Sequence, residues 1–227
     1  MKISPLNRRA LPPALACLPA LACLIVVWTG CYDPTEDTVA VASKAPSETR
    51  VEAAESDIEL ELNADNTDVK WTGSNAAGQT PYGYFYELSG AAVLNGDGQT
   101  LKSMDVLIQM ESVKAMNPSL TEKLKYHGFF EVDTFPTAQF ESTSITAGSR
   151  DEDPEGTTHV IDGNFQLRDV TRSITFPVAL QVTDDRFSLV SEFSINRKDF
   201  GVVYSNSLED AAIRDGVVLN LELDVER

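Results

Sequence analysis

The sequence predicts an all-β fold of antiparallel strands, and three features of the chain carry that expectation. The first is apolar residues recurring with period two, which marks strands with one dry face and one wet face. Ile58, Leu60 and Leu62 share a face of "DIELEL", and Ile174, Phe176, Val178, Leu180 and Val182 share one of "SITFPVALQV". Phe187, Leu189, Ser191, Phe193 and Ile195 repeat the pattern, as do Val217, Leu219, Leu221, Leu223 and Val225. Similar runs occupy 84–94, 103–112, 137–146 and 159–167. The second feature is turn chemistry between the runs: "NGDG" at 95–98, "DEDPEG" at 151–156 and "TDD" at 183–185. The third is the scarcity of helical pattern. Only "NPSLTEKLK" (117–125) reads as a helix, with Pro118 at its first position and Leu120 and Leu124 four apart. A shorter helical turn is expected in "SLEDAA", 207–212. Eight or nine strands and one short helix in about 170 residues suit a single closed barrel or sandwich.

The first 30 residues differ from the rest. Lys2, Arg8 and Arg9 precede an apolar stretch from Ala14 to Trp28 that ends in "WTGC". This is the layout of an export signal, and the stretch is short for a membrane span. Cys31, after Thr29-Gly30, resembles the acylated cysteine of bacterial lipoproteins, with Trp28 where an aliphatic residue is usual. Residues 1–30 are therefore expected as a lipoprotein-type signal and 31–56, polar and without apolar periodicity, as a disordered acidic tether. The folded barrel is expected over 57–227. The location implied is the periplasm or cell envelope, with an acyl anchor in a membrane.

The chain of 227 residues carries a net charge of −17. The first 30 residues hold three of the 18 basic residues and none of the 35 acidic ones, so the remainder stands near −20. Such a surface repels nucleic acid and anionic headgroups, so membrane attachment has to be covalent. With Cys31 acylated and Cys17 and Cys23 in the signal, no thiol remains for a disulfide, zinc or cysteine catalysis.

Four stretches in order resemble the YceI-like lipid-binding proteins: "VKWTGS" (69–74), "KLKYHGFFEVDTFPTAQFEST" (123–143), "IDGNFQLRDVTRSITFPV" (161–178) and "FSINRKDFGVVY…IRDGVVLNLELDVE" (193–226). The resemblance covers Asp65 to Val225; Asp169 stands where the family has glycine. It implies an antiparallel lipocalin-like barrel whose apolar lumen holds a polyisoprenoid or another long-chain amphiphile. It also implies a binding protein rather than an enzyme; no cofactor is expected, and two histidines without carboxylates at readable spacing give no metal site. Homodimerisation is left open.

Taken alone, apolar stripes are more often core than cavity. With the resemblance, the residues expected to face a ligand are Trp71, Tyr84, Tyr86, Val106, Ile108, Phe129, Phe130, Phe140, Phe165, Phe176, Phe187 and Phe193. Ser142, Ser144, Ser191, Gly90, Ala92 and Gly163 alternate with them and stand either for tight packing or for space. Arg197 has two readings, a salt bridge to Asp215 that ties the last strands together or a contact to a ligand headgroup. The structural one is favoured. His127 and His159 are the only histidines, and no nucleophile elbow accompanies them, so a hydrolase reading has little support. A filled barrel acting as a stress-response or protein-interaction module is the main alternative.

Overall fold

The computed structural model describes residues 33–227 except Ala53, His127 and Ser205. The strands are β1 (Val39–Ala40), β2 (Ile58–Asn63), β3 (Thr67–Thr72), β4 (Tyr82–Phe85), β5 (Leu88–Leu94), β6 (Leu101–Gln109), β7 (Val113–Ala115), β8 (Thr137–Ala147), β9 (His159–Leu167), β10 (Val170–Val182), β11 (Arg186–Asn196) and β12 (Gly216–Glu226). Two short helices, α1 (Pro118–Lys125) and α2 (Ser207–Ala212), complete them.

These segments reduce to eight long spans, because three spans are broken by a bend. β2 pairs with β5 and β5 with β6, while their continuations β3, β4 and β7 pair in the same order. β6 then pairs with β8, and each later strand pairs with the next as far as β12. β12 returns to β3 over Val218–Leu223, so the meander closes on itself. The expected lipocalin-like antiparallel barrel is therefore the observed fold, and closure leaves few bare strand edges.

The eight spans divide the connections between two ends. One end carries the turns 95–100, 148–158 and 183–185. The other carries the loop 73–81, α1, the turn 168–169 and the long crossover 197–215. α1 starts where expected: the Asn117 side chain accepts from the Ser119 N–H at 2.9 Å, and Pro118 follows it. Leu124 is buried against the core cluster, with Leu120 partly so.

Small inward residues mostly serve packing. A Cβ on Gly163 would collide with the Phe140 ring, and one on Gly90 with the Asp105 carbonyl. The Ser142 hydroxyl accepts from the Met104 N–H at 2.8 Å, beside a bulge in β8, and Ser191 donates to the Pro177 carbonyl at 2.6 Å. Ser144 is exposed.

The stretch expected as a free tether is a strap laid along the barrel. Asp33 is buried near the start of β12, and Val39–Ala40 pairs in parallel with Phe193–Ser194. Val41 donates to the Ser194 carbonyl and is itself core. Lys44 bridges to Ser173 on β10, Ser47 exchanges two hydrogen bonds with the Asn164 side chain at 2.8 Å each, and Ser43 donates to Asp199. The physical reason is a split in the wall. β10 pairs with β11 only over Ala179–Val182, so Phe193–Ser194 and Ser173 are left with bare edges, which the strap fills.

Candidate functional site: an apolar cavity open at one end

A cavity of about 820 Å³ runs into the barrel. This is within the usual range for a small-molecule pocket. Its wall is apolar and comes from inward positions of most strands: Val69, Trp71, Met104, Val106, Ile108, Ala138, Phe140, Leu167, Ile174, Ile195, Val217, Leu219 and Leu221 among others. Three rings line up across β8, β10 and β11. Phe140 meets Phe176 edge-on at 5.4 Å, and Phe176 stacks on Phe193 at 4.5 Å. Gly163 leaves room for Phe140 to lie flat over β9.

The segment 123–142 supplies the wall nearest the opening. Phe129 and Phe130 both face the cavity, Phe129 packed on Tyr204 at 5.1 Å and Phe130 on Phe85 at 6.2 Å. Glu131, next in line, takes a positive φ of 51°, as does Arg168 at 57° on the facing hairpin. The two side chains are joined at 2.7 Å, Arg168 also donates to the Gly201 carbonyl, and its guanidinium lies over Phe135 at 5.1 Å. That ion pair fixes a turn in a conformation uncommon for non-glycine residues and thereby sets the two phenylalanines.

The opening is recognisable by its exposed polar lining of Gln79, Asn117, Ser119, Lys123 and Glu209, with Ala212 beside them, on the 73–81 loop, on α1 and its cap, or on α2. Two amides and a hydroxyl stand there beside one charge of each sign, a set with no net charge that suits a neutral hydrogen-bonding headgroup.

Arg197 borders the cavity at 4 % exposure, but its donors are engaged elsewhere. Nη1 reaches the Asp210 carboxylate and the Val202 carbonyl, both at 2.7 Å. Nη2 reaches Asp215 at 3.1 Å, and further bonds go to the carbonyls of Arg214, Ile213 and Asp210. The guanidinium pins α2 and the crossover to the barrel. The hydrogen bond from Arg197 holds the Asp210 carboxyl below the usual carboxylate range, against the opposing effect of burial. The strap begins at the same rim. Asp33 meets Arg214 at 2.9 Å and accepts from Ser74 at 3.4 Å, and both partners border the cavity. Burial alone would raise the Asp33 carboxyl, but hydrogen bonds from Thr35 and the Arg214 charge hold it low.

Of the side chains expected to face a ligand, Trp71, Val106, Ile108, Phe129, Phe130, Phe140, Phe165, Phe176 and Phe193 border the cavity, and so does Arg197. Three do not. Tyr84 and Tyr86 lie on the outer face of the sheet, Tyr86 at 52 % exposure, because Phe85 between them takes the inward position. Lys70 over Tyr82 and Lys114 over Tyr86, at 5.2 and 4.8 Å, hold that tyrosine row outside. Phe187 is fully buried beyond the cavity, in core near the turn at 183–185. The residues missed by the sequence reading include Phe85, Met110 and Tyr204, together with the polar rim. Phe85 was hidden by aromatics at both parities of "YGYFY".

His159 faces the Thr158 hydroxyl at 2.9 Å, and burial pushes its imidazole below its ordinary value. His127 and Cys31 lie outside the described residues. Among the described residues no group of three or more His, Cys, Asp or Glu side chains is placed to hold a metal ion.

The chain is 27% identical over 127 residues to a UPF0312 protein of Pseudomonas aeruginosa strain LESB58 and 28% identical over 127 residues to Protein YceI of Salmonella arizonae. Each match covers 53% of this chain and 63% of the relative's length. Among solved structures, BcnA of Burkholderia cenocepacia is similar at a TM-score of 0.61 and 16% identity, covering 70% of this chain and 96% of that one. A polyisoprenoid binding domain from Saccharophagus degradans is similar at 0.56 and 13%, covering 74% and 97%. These likenesses are of fold. The YceI-like domain model matches residues 60–225, which span the barrel from β2 to β12, and the chain therefore belongs to the YceI-like domain family.

Proposed function

We propose that this protein binds a long-chain amphiphilic lipid of isoprenoid type in the barrel and sequesters or carries it in the bacterial envelope, without catalysing a reaction. The observation that carries the reading is the 820 Å³ cavity with its aromatic and aliphatic wall. Each methylene buried there gains about 0.8 kcal/mol, so a long tail binds well with few polar contacts. The rim, with amides, a hydroxyl and one exposed charge of each sign, suits a head without net charge, and the Arg197 guanidinium is spent within the fold. The similar Saccharophagus domain, described as polyisoprenoid binding, supports the same ligand class. Export through residues 1–30 and an acyl anchor at Cys31 complete the reading; they rest on the sequence pattern.

Native mass spectrometry of the exported chain, followed by solvent extraction of what co-purifies, tests the proposal. A stoichiometric long-chain lipid is the expected result. An empty protein that also fails to take up added isoprenoid alcohols would instead favour the stress-response or interaction module.

A further inference from the structure

The two ends of the barrel differ in a way that binding alone does not require. The closed end carries the acidic turns, with Asp97, Asp151, Glu152, Glu155, Asp184 and Asp185. At the mouth end the 73–81 loop has no charged residue, and large apolar side chains stand in solvent: Leu208 at 83 % exposure, Met116 at 72 %, with Val203 and Tyr126 also exposed. Leu208 adjoins Glu209, and Met116 adjoins Asn117, both of which border the opening. Exposed apolar groups clustered on one end mark a surface that something covers.

We propose that this end seats on the surface of a lipid bilayer, so that the membrane covers Met116, Val203 and Leu208 and the ligand passes between bilayer and cavity without crossing water. The proposal deepens the lipid-binding reading and rests on it for the ligand. Two further observations select a bilayer as the occupant. The strap is pinned to the rim by Asp33, through Arg214 and Ser74, and then wraps around the outside of the barrel across β11, β10 and β9. Cys31 is two residues upstream of Asp33, and that much chain spans at most about 7 Å. An acyl group on Cys31 would therefore emerge beside the mouth, where a free tether would have left the orientation undetermined. The charge is also distributed to match. The acidic turns point away from the membrane, and the rim offers neither a basic patch for anionic lipid nor an acidic one that repels a zwitterionic surface.

Hydrogen exchange of the exported chain, with and without phosphatidylcholine vesicles, tests the seating. Protection is expected in 73–81, 116–120 and 203–212, and none in 151–156 or 183–190. Protection at the acidic end, or at neither end, overturns the proposal. In parallel, Met116→Asp combined with Leu208→Asp is expected to slow transfer of solanesol from vesicles to the protein by about tenfold. Uptake of solanesol presented in detergent should be unchanged, because neither side chain borders the cavity. Val190→Asp, an exposed apolar position on the outer wall, is the control and should transfer at the wild-type rate. Transfer by the double variant at the wild-type rate, or equal slowing by Val190→Asp, also overturns it. If no variant takes up solanesol even from detergent, the ligand reading fails, while the exchange pattern still decides the seating.

Discussion

The mouth and the closed end of this barrel are built from the same strands, yet they use aromatic residues differently. At the closed end Phe187 is fully buried among Leu189, Val225 and their neighbours, and it completes a packed core. Half a barrel away on the same strand, Phe193 borders open space and stacks on Phe176. The difference lies in what caps each end. Tight turns bring the strands together over Phe187. At the other end α1, the 73–81 loop and the α2 crossover span the strand ends without filling them. The same residue type on one inward stripe of β11, Phe187 and Phe193, is thus core at one end and pocket wall at the other.

Substitutions can break that comparison. Phe187→Ala is expected to cost about 3–5 kcal/mol, as for a large side chain removed from a tight core, with lipid uptake retained in the molecules that remain folded. Phe193→Ala should cost clearly less, because part of its surface already borders a cavity; chemical denaturation compares the two. Equal costs would mean that the barrel is packed throughout.

Arg197→Ala should also cost about 3–5 kcal/mol, since it leaves several carbonyls without their donor and strips the Asp210 carboxylate of its shortest bond, with only the Tyr204 N–H and Lys198 remaining. Its signature differs from that of Phe187→Ala. Proteolysis should appear first within 203–212, the segment the guanidinium holds down.

Acidification addresses the same contact more gently. The Arg197 hydrogen bond depresses the Asp210 carboxyl in the folded protein, so the unfolded chain binds that proton more tightly. The stabilisation is complete above the unfolded value near 4 and is lost as pH falls through the lower folded value. A pH titration of exchange within 203–212 should show loosening only below about pH 4, and Asp210→Asn should remove that dependence. The smallest effect is expected from Asn117→Ala, which deletes the cap of α1 and costs about 1 kcal/mol. Thermal unfolding should move little while exchange in 117–125 rises.

Much of the barrel was legible because its strands alternate cleanly: Ile174 to Val182 and Phe187 to Ile195 declare their inner faces by period alone. Where aromatics occupy both parities, as in "YGYFY", the alternation carries no phase, and the short β4 turned Phe85 inward in place of Tyr84 and Tyr86. The strap was illegible for a different reason. Its polar, irregular sequence lacks periodicity, and single contacts such as Ser47 to Asn164 and Ser43 to Asp199 join residues more than a hundred positions apart. Nothing local distinguishes such a segment from a free linker.

The sequence by itself determined the antiparallel class, the helix at 118–125 and the apolar character of the lumen, because period, capping and turn chemistry act between near neighbours. Only the tertiary structure decided that Arg197 belongs to Asp210 as well as Asp215, that residues 39–44 fill the split between β10 and β11, and that the space stays open at one end. Those outcomes depend on how far apart distant strands are held. No pattern along the chain encodes that distance; closure of the whole barrel sets it.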